Sequence, residues 1–232
     1  MPSVSGARLL VYVTAAIVAG CAGSRLASDP PAGVSLAGNW KLDHAASDDP
    51  QKLLAHMRAE AVHRMAQHRA QVAQRAGGRG GNARGGSPED VAPEYDATLP
   101  PPGGDPLQRS PMAHVIMARV ARGDYLTVRQ SETQFVLDYG NSQRSFTPGA
   151  HSVVSAEDGV GDQTSGWQGR EYVVRVRAQL GPDVTEHYAL SPDGKHLIEK
   201  LQIATEELSA VQLTRVYDPT NETAPTHLPT ND

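Results

Sequence analysis

Hydrophobic and polar residues alternate along most of the chain between Tyr125 and Tyr217. Alternation with a period of two is typical of β-strands that bury one face. Short turn sequences separate the alternating segments, and one of them, Pro192-Asp193-Gly194, predicts a β-hairpin. The apolar positions of these segments are Leu126/Val128, Phe135/Leu137/Tyr139, Tyr172/Val174/Val176/Ala178/Leu180, Val184/Tyr188/Leu190, Leu197/Leu201/Ile203 and Val211/Leu213/Tyr217.

An earlier segment, residues 35–43, alternates in the same way and predicts a first strand that carries Trp40. Together these patterns predict about eight strands, antiparallel where hairpins join them. We therefore expect a mainly β fold, either a barrel or a sandwich, in a single domain over residues 35–218.

A helical pattern interrupts the β pattern after this first strand. The sequence Ser47-Asp48-Asp49-Pro50 predicts a helix start, because aspartate accepts hydrogen bonds from the first backbone amides and proline suits the first turn. The predicted helix covers about residues 51–75. Residues 77–110 are rich in glycine and proline and predict a disordered insertion, and residues 219–232 predict a flexible tail. The apolar stripe of the predicted helix consists of Leu54, Met57, Ala61, Met65 and Val72.

The first 21 residues have the layout of a secretory signal. Arg8 precedes a short apolar run over residues 9–19, which is shorter than the about 20 residues that a membrane-spanning helix needs. The run then ends in Val18-Ala19-Gly20-Cys21, which resembles the lipobox of bacterial lipoproteins. The resemblance implies removal of residues 1–20, lipid attachment to Cys21 and a lipidated tether over residues 21–34. An ordinary signal peptide with an incidental cysteine is the alternative.

Cys21 is the only cysteine, so its lipidation would leave no thiol for a disulfide, a nucleophile or a metal ligand. Ala22 rather than aspartate follows it, and by the same resemblance this favours anchoring in the outer membrane, facing the periplasm. The formal net charge of −5 opposes nucleic-acid binding. The lipid that the resemblance implies on Cys21 makes the membrane the expected partner.

A second resemblance concerns the β domain. Gly38-Asn39-Trp40 on the first strand resembles the Gly-x-Trp signature of lipocalins and related calycins. In that family an arginine of the last strand lies across the tryptophan, and Arg215 stands on the last predicted strand here. The resemblance implies a calycin-like barrel in which Arg215 makes a cation–π contact with Trp40. Another antiparallel β fold is the alternative.

Three charged residues fall on predicted apolar faces, namely Glu186, Glu199 and Arg215. Burial of a charge is costly unless the charge is paired. These residues, with Trp40, are the candidate ligand-binding set of a barrel interior. An internal ion pair without a ligand is the alternative.

The predicted helix also carries His56, Glu60 and His63 at positions i, i+4 and i+7, a spacing that can place three ligands around one metal ion. This is the basis of an alternative function, periplasmic metal handling by histidine and methionine side chains. Soft donors that suit copper occur at Met57, Met65, Met112, His114 and Met117. The simpler interpretation is a solvated histidine face and methionines that fill the core.

We find no motif of a known catalytic class and no implied cofactor, so an enzyme is the less favoured hypothesis. A hydrolase without a motif would need His187 or His196 beside Glu186 or Glu199. The acidic, glycine-rich sequence of residues 157–162 predicts a mobile connection. We expect a membrane-anchored envelope lipoprotein whose β domain binds a small apolar ligand or an envelope protein.

Overall fold

The computed structural model describes residues 25–78, 104–108, 110–120, 122–156, 159–179, 181–204 and 209–223. The predicted signal peptide, Cys21, most of the predicted insertion and the end of the predicted tail lie outside these residues. The described chain forms two helices and ten strands. Their bounds are β1 Gly38–Leu42, α1 Pro50–Gly78, α2 Pro111–Val120, β2 Tyr125–Gln130, β3 Phe135–Asp138, β4 Gln143–Phe146, β5 His151–Ala156, β6 Gly159–Gln168, β7 Glu171–Ala178, β8 Asp183–Leu190, β9 Leu197–Ala204 and β10 Val211–Pro219.

All ten strands belong to one antiparallel sheet in the order β4-β3-β2-β1-β10-β9-β8-β7-β6-β5. Sequential strands pair throughout except β4 and β5, which form the two edges, and the first strand pairs with the last. This up-and-down order is that of a barrel rather than a sandwich. The predicted mainly β, antiparallel fold is confirmed, with ten strands in place of about eight.

Contacts across the interior show that the sheet is curled. The rings of Phe135 in β3 and Tyr172 in β7 stack with their centroids 3.7 Å apart. These strands are six positions apart in the sheet, so a flat sheet would separate them by about 29 Å. The two ends of the sheet therefore face each other, and the inward side chains meet in one core.

The core has two apolar clusters. The first lies between the two halves of the curled sheet and contains Trp40, Tyr172, Tyr188 and Tyr217. In the second, α1 and α2 pack against inward residues of β8, β9 and β10. Its buried members are Leu54, Met57, Leu107, Met112, Ala113, Ile116, Val184, Leu201, Ile203, Val211 and Leu213.

The structure confirms the predicted start of the long helix α1 but corrects the extent of the apolar stripe that it buries. Asp49 accepts a hydrogen bond from the Gln51 amide over 2.9 Å, as its capping role requires. Met57 is buried, whereas Val72 is exposed, so only the first part of the predicted apolar stripe packs against the sheet. Neither described helix is long and apolar enough to cross a membrane.

The predicted tether is packed against the sheet from residue 25 onward. Leu26 is buried, and Ala27 exchanges two backbone hydrogen bonds of 2.8 Å with Trp167. A Cβ on Gly166 would lie 2.6 Å from the Ala27 carbonyl oxygen, so glycine is needed where the two segments cross. The described part of the predicted tether is therefore held against the domain at Leu26 and Ala27, where Ala27 forms an isolated β-bridge with Trp167 of β6.

Three further predictions of disorder are corrected where the structure describes the residues. Leu107, within the predicted insertion, is buried at 5% exposure under α1 and α2. Gly159 to Asp162, within the predicted mobile connection, belong to β6. At the start of the predicted tail, Glu222 accepts hydrogen bonds from Tyr125 and Lys41, which holds the chain against β1 and β2.

Candidate functional site

The inward charges that the alternation pattern predicts are buried. Glu186 is 0%, Glu199 1% and Arg215 6% exposed. The strand register places Arg215 directly opposite Glu199, while Glu186 lies on β8 beside Leu201. These residues form part of a larger polar set, which we call the charged layer. Its members are Arg119, Arg122, Tyr139, Arg144, Glu186, Tyr188, Glu199, Arg215 and Tyr217.

Glu186 is the centre of one half of the charged layer. Arg144 of β4 donates from Nη1 to Glu186 Oε2 over 2.5 Å. This ion pair connects the edge strand β4 to β8 across the interior of the curled sheet. Arg119 Nε lies 2.8 Å and Arg122 Nη1 3.5 Å from the other oxygen. Arg119 Nε is within ion-pair distance of Glu186, but its N–H is not aligned for a hydrogen bond with that oxygen or with any other described residue. Glu186 therefore neutralises only one of three surrounding guanidinium groups.

Glu199 is the centre of the other half. It accepts hydrogen bonds from the hydroxyl of Tyr217 over 2.9 Å and from that of Tyr188 over 3.3 Å. Arg215 Nη1 lies 3.8 Å from the same carboxylate. The Tyr188 hydroxyl also lies 3.3 Å from that of Tyr139, which connects this half to Arg122. Tyrosine hydroxyls thus satisfy Glu199, and Arg215 remains only loosely paired.

Arg215 does not stack on Trp40. Its guanidinium lies 5.3 Å from the ring centroid of Tyr217 and donates from Nη2 to the Gly123 carbonyl over 2.8 Å. Trp40 instead lies in the first apolar cluster and donates from Nε1 to the Leu36 carbonyl over 3.1 Å. The cation–π contact implied by the calycin resemblance is therefore corrected, because the ring beside Arg215 is that of Tyr217, two residues along the same face of β10.

Burial and neighbouring charges set the protonation states in the charged layer. Burial raises the pKa of Tyr188, Tyr217 and Tyr139, and the nearby carboxylates raise it further, so the hydroxyls stay protonated as donors. Burial alone would also raise the pKa of Glu186, but Arg144 and Arg122 outweigh it and hold that pKa below its usual range. The Glu186 carboxylate therefore remains charged at neutral pH.

The charged layer contains four arginines and two glutamates, a surplus of two positive charges among the described residues. Isolated buried charge is costly, and its cost falls when an opposite charge enters. The contacts of Arg122 with the Tyr139 hydroxyl and with Glu186 are each 3.5 Å, longer than the about 2.9 Å of an ordinary hydrogen bond, and its guanidinium lies 5.0 Å from the Tyr139 ring centroid. The layer can therefore accept an anionic group.

Sequence reasoning finds Glu186, Glu199 and Arg215 but misses the other three arginines. Arg119 is in the last turn of α2, and Arg122 follows it in the turn before β2. Arg144 is on β4, a four-residue strand whose sequence Gln-Arg-Ser-Phe has little apolar alternation. No periodic signal marks these positions: the packing of α2 against the sheet brings Arg119 and Arg122 to Glu186, and the curl of the sheet brings Arg144.

The proposed metal ligands are not brought together. No group of three or more His, Cys, Asp or Glu residues in the described part of the chain is placed to hold a metal ion. His56 and His63 are exposed, and Glu60 instead accepts hydrogen bonds from Ser209 and Arg64 over 2.8 Å and 2.7 Å. Met57 and Met112 are core residues.

The residues considered for a hydrolase are also apart. His187 Nδ1 lies 2.8 Å from Glu171, and His196 Nδ1 lies 2.7 Å from Asp218, both at the outer surface. Neither histidine is paired with Glu186 or Glu199, because alternating residues of a strand point to opposite faces. No observation in the described residues supports hydrolase chemistry.

Comparisons with known proteins give distant structural likenesses. Lipid binding protein 8 of Caenorhabditis elegans matches with a TM-score of 0.44 and 12% identity over 82% of this chain and 100% of that chain. The REP1-NXSQ fatty acid transporter matches with a TM-score of 0.41 and 13% identity over 81% of this chain and 97% of that chain. A fatty acid-binding protein from Drosophila melanogaster brain matches with a TM-score of 0.32 and 18% identity over 40% of this chain and 70% of that chain.

No protein-family model and no curated protein matches the sequence. Each of these structural TM-scores is below 0.5 and each identity is below 20%. The fold is therefore defined by its strand order and side-chain contacts rather than by these likenesses.

Proposed function

We propose that this chain is a bacterial lipoprotein, anchored through Cys21, whose β domain binds a small apolar ligand that carries an anionic group. The observation that carries the proposal is the surplus of two positive charges in the charged layer. The anionic group would bind beside Arg119 and Arg122, at the end of α2.

The charged layer suits a carboxylate or phosphate better than a neutral polar group. Arg122 has two contacts of 3.5 Å, and Arg119 Nε, although 2.8 Å from Glu186 Oε1, makes no aligned hydrogen bond with a described residue. An incoming oxygen would satisfy both donors and offset part of the uncompensated charge. Bidentate binding of planar anions is the interaction that guanidinium groups make best.

The apolar part of the ligand would contact the core on either side of the charged layer. Tyr139, Tyr188 and Tyr217 belong to the layer, and all three also belong to the first apolar cluster. The second apolar cluster lies on the helix side, where Ile116 is one turn of α2 before Arg119. An amphiphile with one charged end matches this arrangement of one charged layer between apolar clusters.

The envelope location is supported by the lipobox-like sequence that ends in Cys21. We propose that the lipid inserts into the outer membrane and that the β domain faces the periplasm. Intact mass measurement of the protein purified from its own membrane would report the acyl groups. A mass that corresponds to an unmodified Cys21 would contradict the anchor.

Ligand binding is tested with a matched pair of probes, decanoate and decanol, which differ in charge but share the alkyl chain. We expect decanoate to bind at least about tenfold more tightly, since a hydrogen bond to a charged group contributes about 1.5–3 kcal/mol. The replacement Arg122→Met should remove this preference and leave decanol binding unchanged, and Arg129→Met on the outer face of β2 is the control. Equal affinities for the two probes in the wild-type chain would refute the anionic site.

A further inference from the structure

We propose that the open edge of β5 is an interface at which a second copy of this chain adds its own β5 in antiparallel pairing. β5 covers His151–Ala156 and is one of the two edge strands of the sheet. It pairs with β6 on one side, and no strand of the described chain pairs with its other side. Neither the proposed ligand nor the anchor at Cys21 is needed for this pairing.

Strand β6 directs its backbone groups alternately to its two neighbours. The carbonyl oxygen of Val160 accepts a hydrogen bond of 3.1 Å from Gln179, directly after β7, so the even-numbered residues of β6 bond to β7. The carbonyl oxygen of Ser165 accepts one of 2.7 Å from Gly149, two residues before β5. The odd-numbered residues of β6 therefore bond to β5.

The same alternation identifies the backbone groups that are open on β5. The odd-numbered residues of β6 lie opposite Ser152 and Val154, which therefore direct their N–H and C=O groups to β6. The residues that alternate with them direct theirs to the open side, and these are His151, Val153 and Ser155. Val153 is 65% exposed, in agreement with its position on an unpaired edge.

Strand β5 lacks the features that protect sheet edges from pairing. Natural edge strands carry lysine, proline, inward charges or bulges, or they are very short. The sequence His-Ser-Val-Val-Ser-Ala contains no lysine, proline or carboxylate, and its register with β6 is unbroken over six residues. The other edge, β4, has four residues and turns Arg144 inward to Glu186. β5 is therefore the edge that accepts a further strand.

A second copy of β5 matches this edge in length and in the direction of its backbone groups. Antiparallel neighbours are related by a twofold axis perpendicular to the sheet, and the register that uses all three open residues places Val153 opposite Val153 of the second copy. His151 then lies opposite Ser155 of the second copy, and the reverse. These pairs exchange about six hydrogen bonds, and the central pair brings two β-branched side chains together. The interface is closed, because each copy uses the same strand.

Side-chain charges do not oppose this pairing. The one titratable side chain of β5, His151, lies 3.3 Å from Asp162 of its own chain. Asp162 lies beside Val153, so two β5 strands separate it from Asp162 of the second copy. That separation is three strand spacings, about 14 Å, which exceeds the screening length of about 10 Å at 0.1 M salt.

Disulfide formation tests the register in the full chain with Cys21→Ser, which leaves no other thiol. Val153→Cys places two thiols opposite each other with Cα atoms about 5.5 Å apart, within the range of disulfides. Ser152→Cys is the matched control, because its partner is Val154 and the two introduced thiols would have Cα atoms more than about 7 Å apart. We expect a covalent dimer from Val153→Cys and none from Ser152→Cys. Equal cross-linking of the two variants, or of neither, would overturn the proposal.

Sedimentation of the same chain without introduced cysteines measures the interface directly. We expect a monomer–dimer equilibrium between about 1 μM and 1 mM. Val153→Lys brings two ammonium groups opposite each other and should raise the dissociation constant at least about tenfold, whereas Val72→Lys, at a valine 50% exposed on α1, should leave it unchanged. A monomer throughout this range, assemblies larger than two copies, or an equal effect of the two variants would contradict the β5 interface.

Discussion

The replacement Glu186→Gln removes the negative charge at the centre of the charged layer while keeping the side-chain shape. Glu186 is 0% exposed and lies 2.5 Å from Arg144, 2.8 Å from Arg119 and 3.5 Å from Arg122. The change leaves four arginines, of which Arg122 and Arg215 are buried, against Glu199 alone, which raises the surplus from two positive charges to three.

Removal of one partner from a buried ion pair costs about 3–5 kcal/mol, because the remaining charge stays in an environment that cannot solvate it. We expect this loss in the free energy of unfolding. For a domain of about 150–250 residues each kcal/mol corresponds to about 2–4 °C. The melting temperature should therefore fall by about 6–20 °C.

Urea denaturation followed by tryptophan fluorescence measures the loss. Glu171→Gln is the matched control, because Glu171 forms its ion pair with His187 at the surface, where the expected change is below about 1 kcal/mol. A loss below about 1 kcal/mol for Glu186→Gln would refute the argument that this carboxylate holds the arginines together.

The same variant should alter the dependence of stability on pH. The pKa of Glu186 is held below its unfolded value of 4.5, so the unfolded state binds more protons as the pH falls below 4.5. The contribution of Glu186 is therefore complete above pH 4.5 and is lost as the pH falls through the folded pKa. We expect the wild-type chain to lose stability in this range more steeply than Glu186→Gln, and parallel curves would contradict the assignment.

Two further substitutions test the layer and the helix packing. Tyr217→Phe removes the hydroxyl that donates to Glu199 over 2.9 Å and should cost about 1.5–3 kcal/mol in urea denaturation. Tyr125→Phe at the surface should cost less, and equal losses would contradict the role of burial. Met112→Ala, at 0% exposure on the buried side of α2, should cost about 2–5 kcal/mol by thermal unfolding. Met117→Ala, at 57% exposure on the same helix, should stay within about 0.5 kcal/mol, and a similar loss at both sites would argue against docking of α2 on the sheet.

Alternation predicts the inward residues well because a strand has only two faces. Glu186, Glu199 and Arg215 point inward as their apolar neighbours require, and Met57 occupies the buried side of α1. The same logic fails on β6, whose sequence contains glycine, serine and threonine at many positions. Pairing with β5, β7 and Ala27 holds that strand, and such partners leave no periodic mark in its own sequence.

The predicted disorder shows a related limit. Low apolar content predicts that a segment has little to bury, yet Leu26 and Leu107 are each buried by a surface that other parts of the chain provide. A single apolar residue is enough to hold a short segment when a complementary site already exists. Composition counts residues in a window and does not detect such a site.

By itself the sequence determined the mainly β class, the start of the long helix, the inward charges and the lipobox-like pattern at Cys21. These depend on local periodicity or on contiguous motifs, which a linear sequence contains directly. Only the tertiary structure decided that Arg119, Arg122 and Arg144 surround Glu186 and that Tyr217, not Trp40, lies under Arg215. The pair of Arg144 with Glu186 joins β4 to β8 across the interior, and Arg119 reaches Glu186 from α2, so these contacts depend on how the strands and the helix pack together.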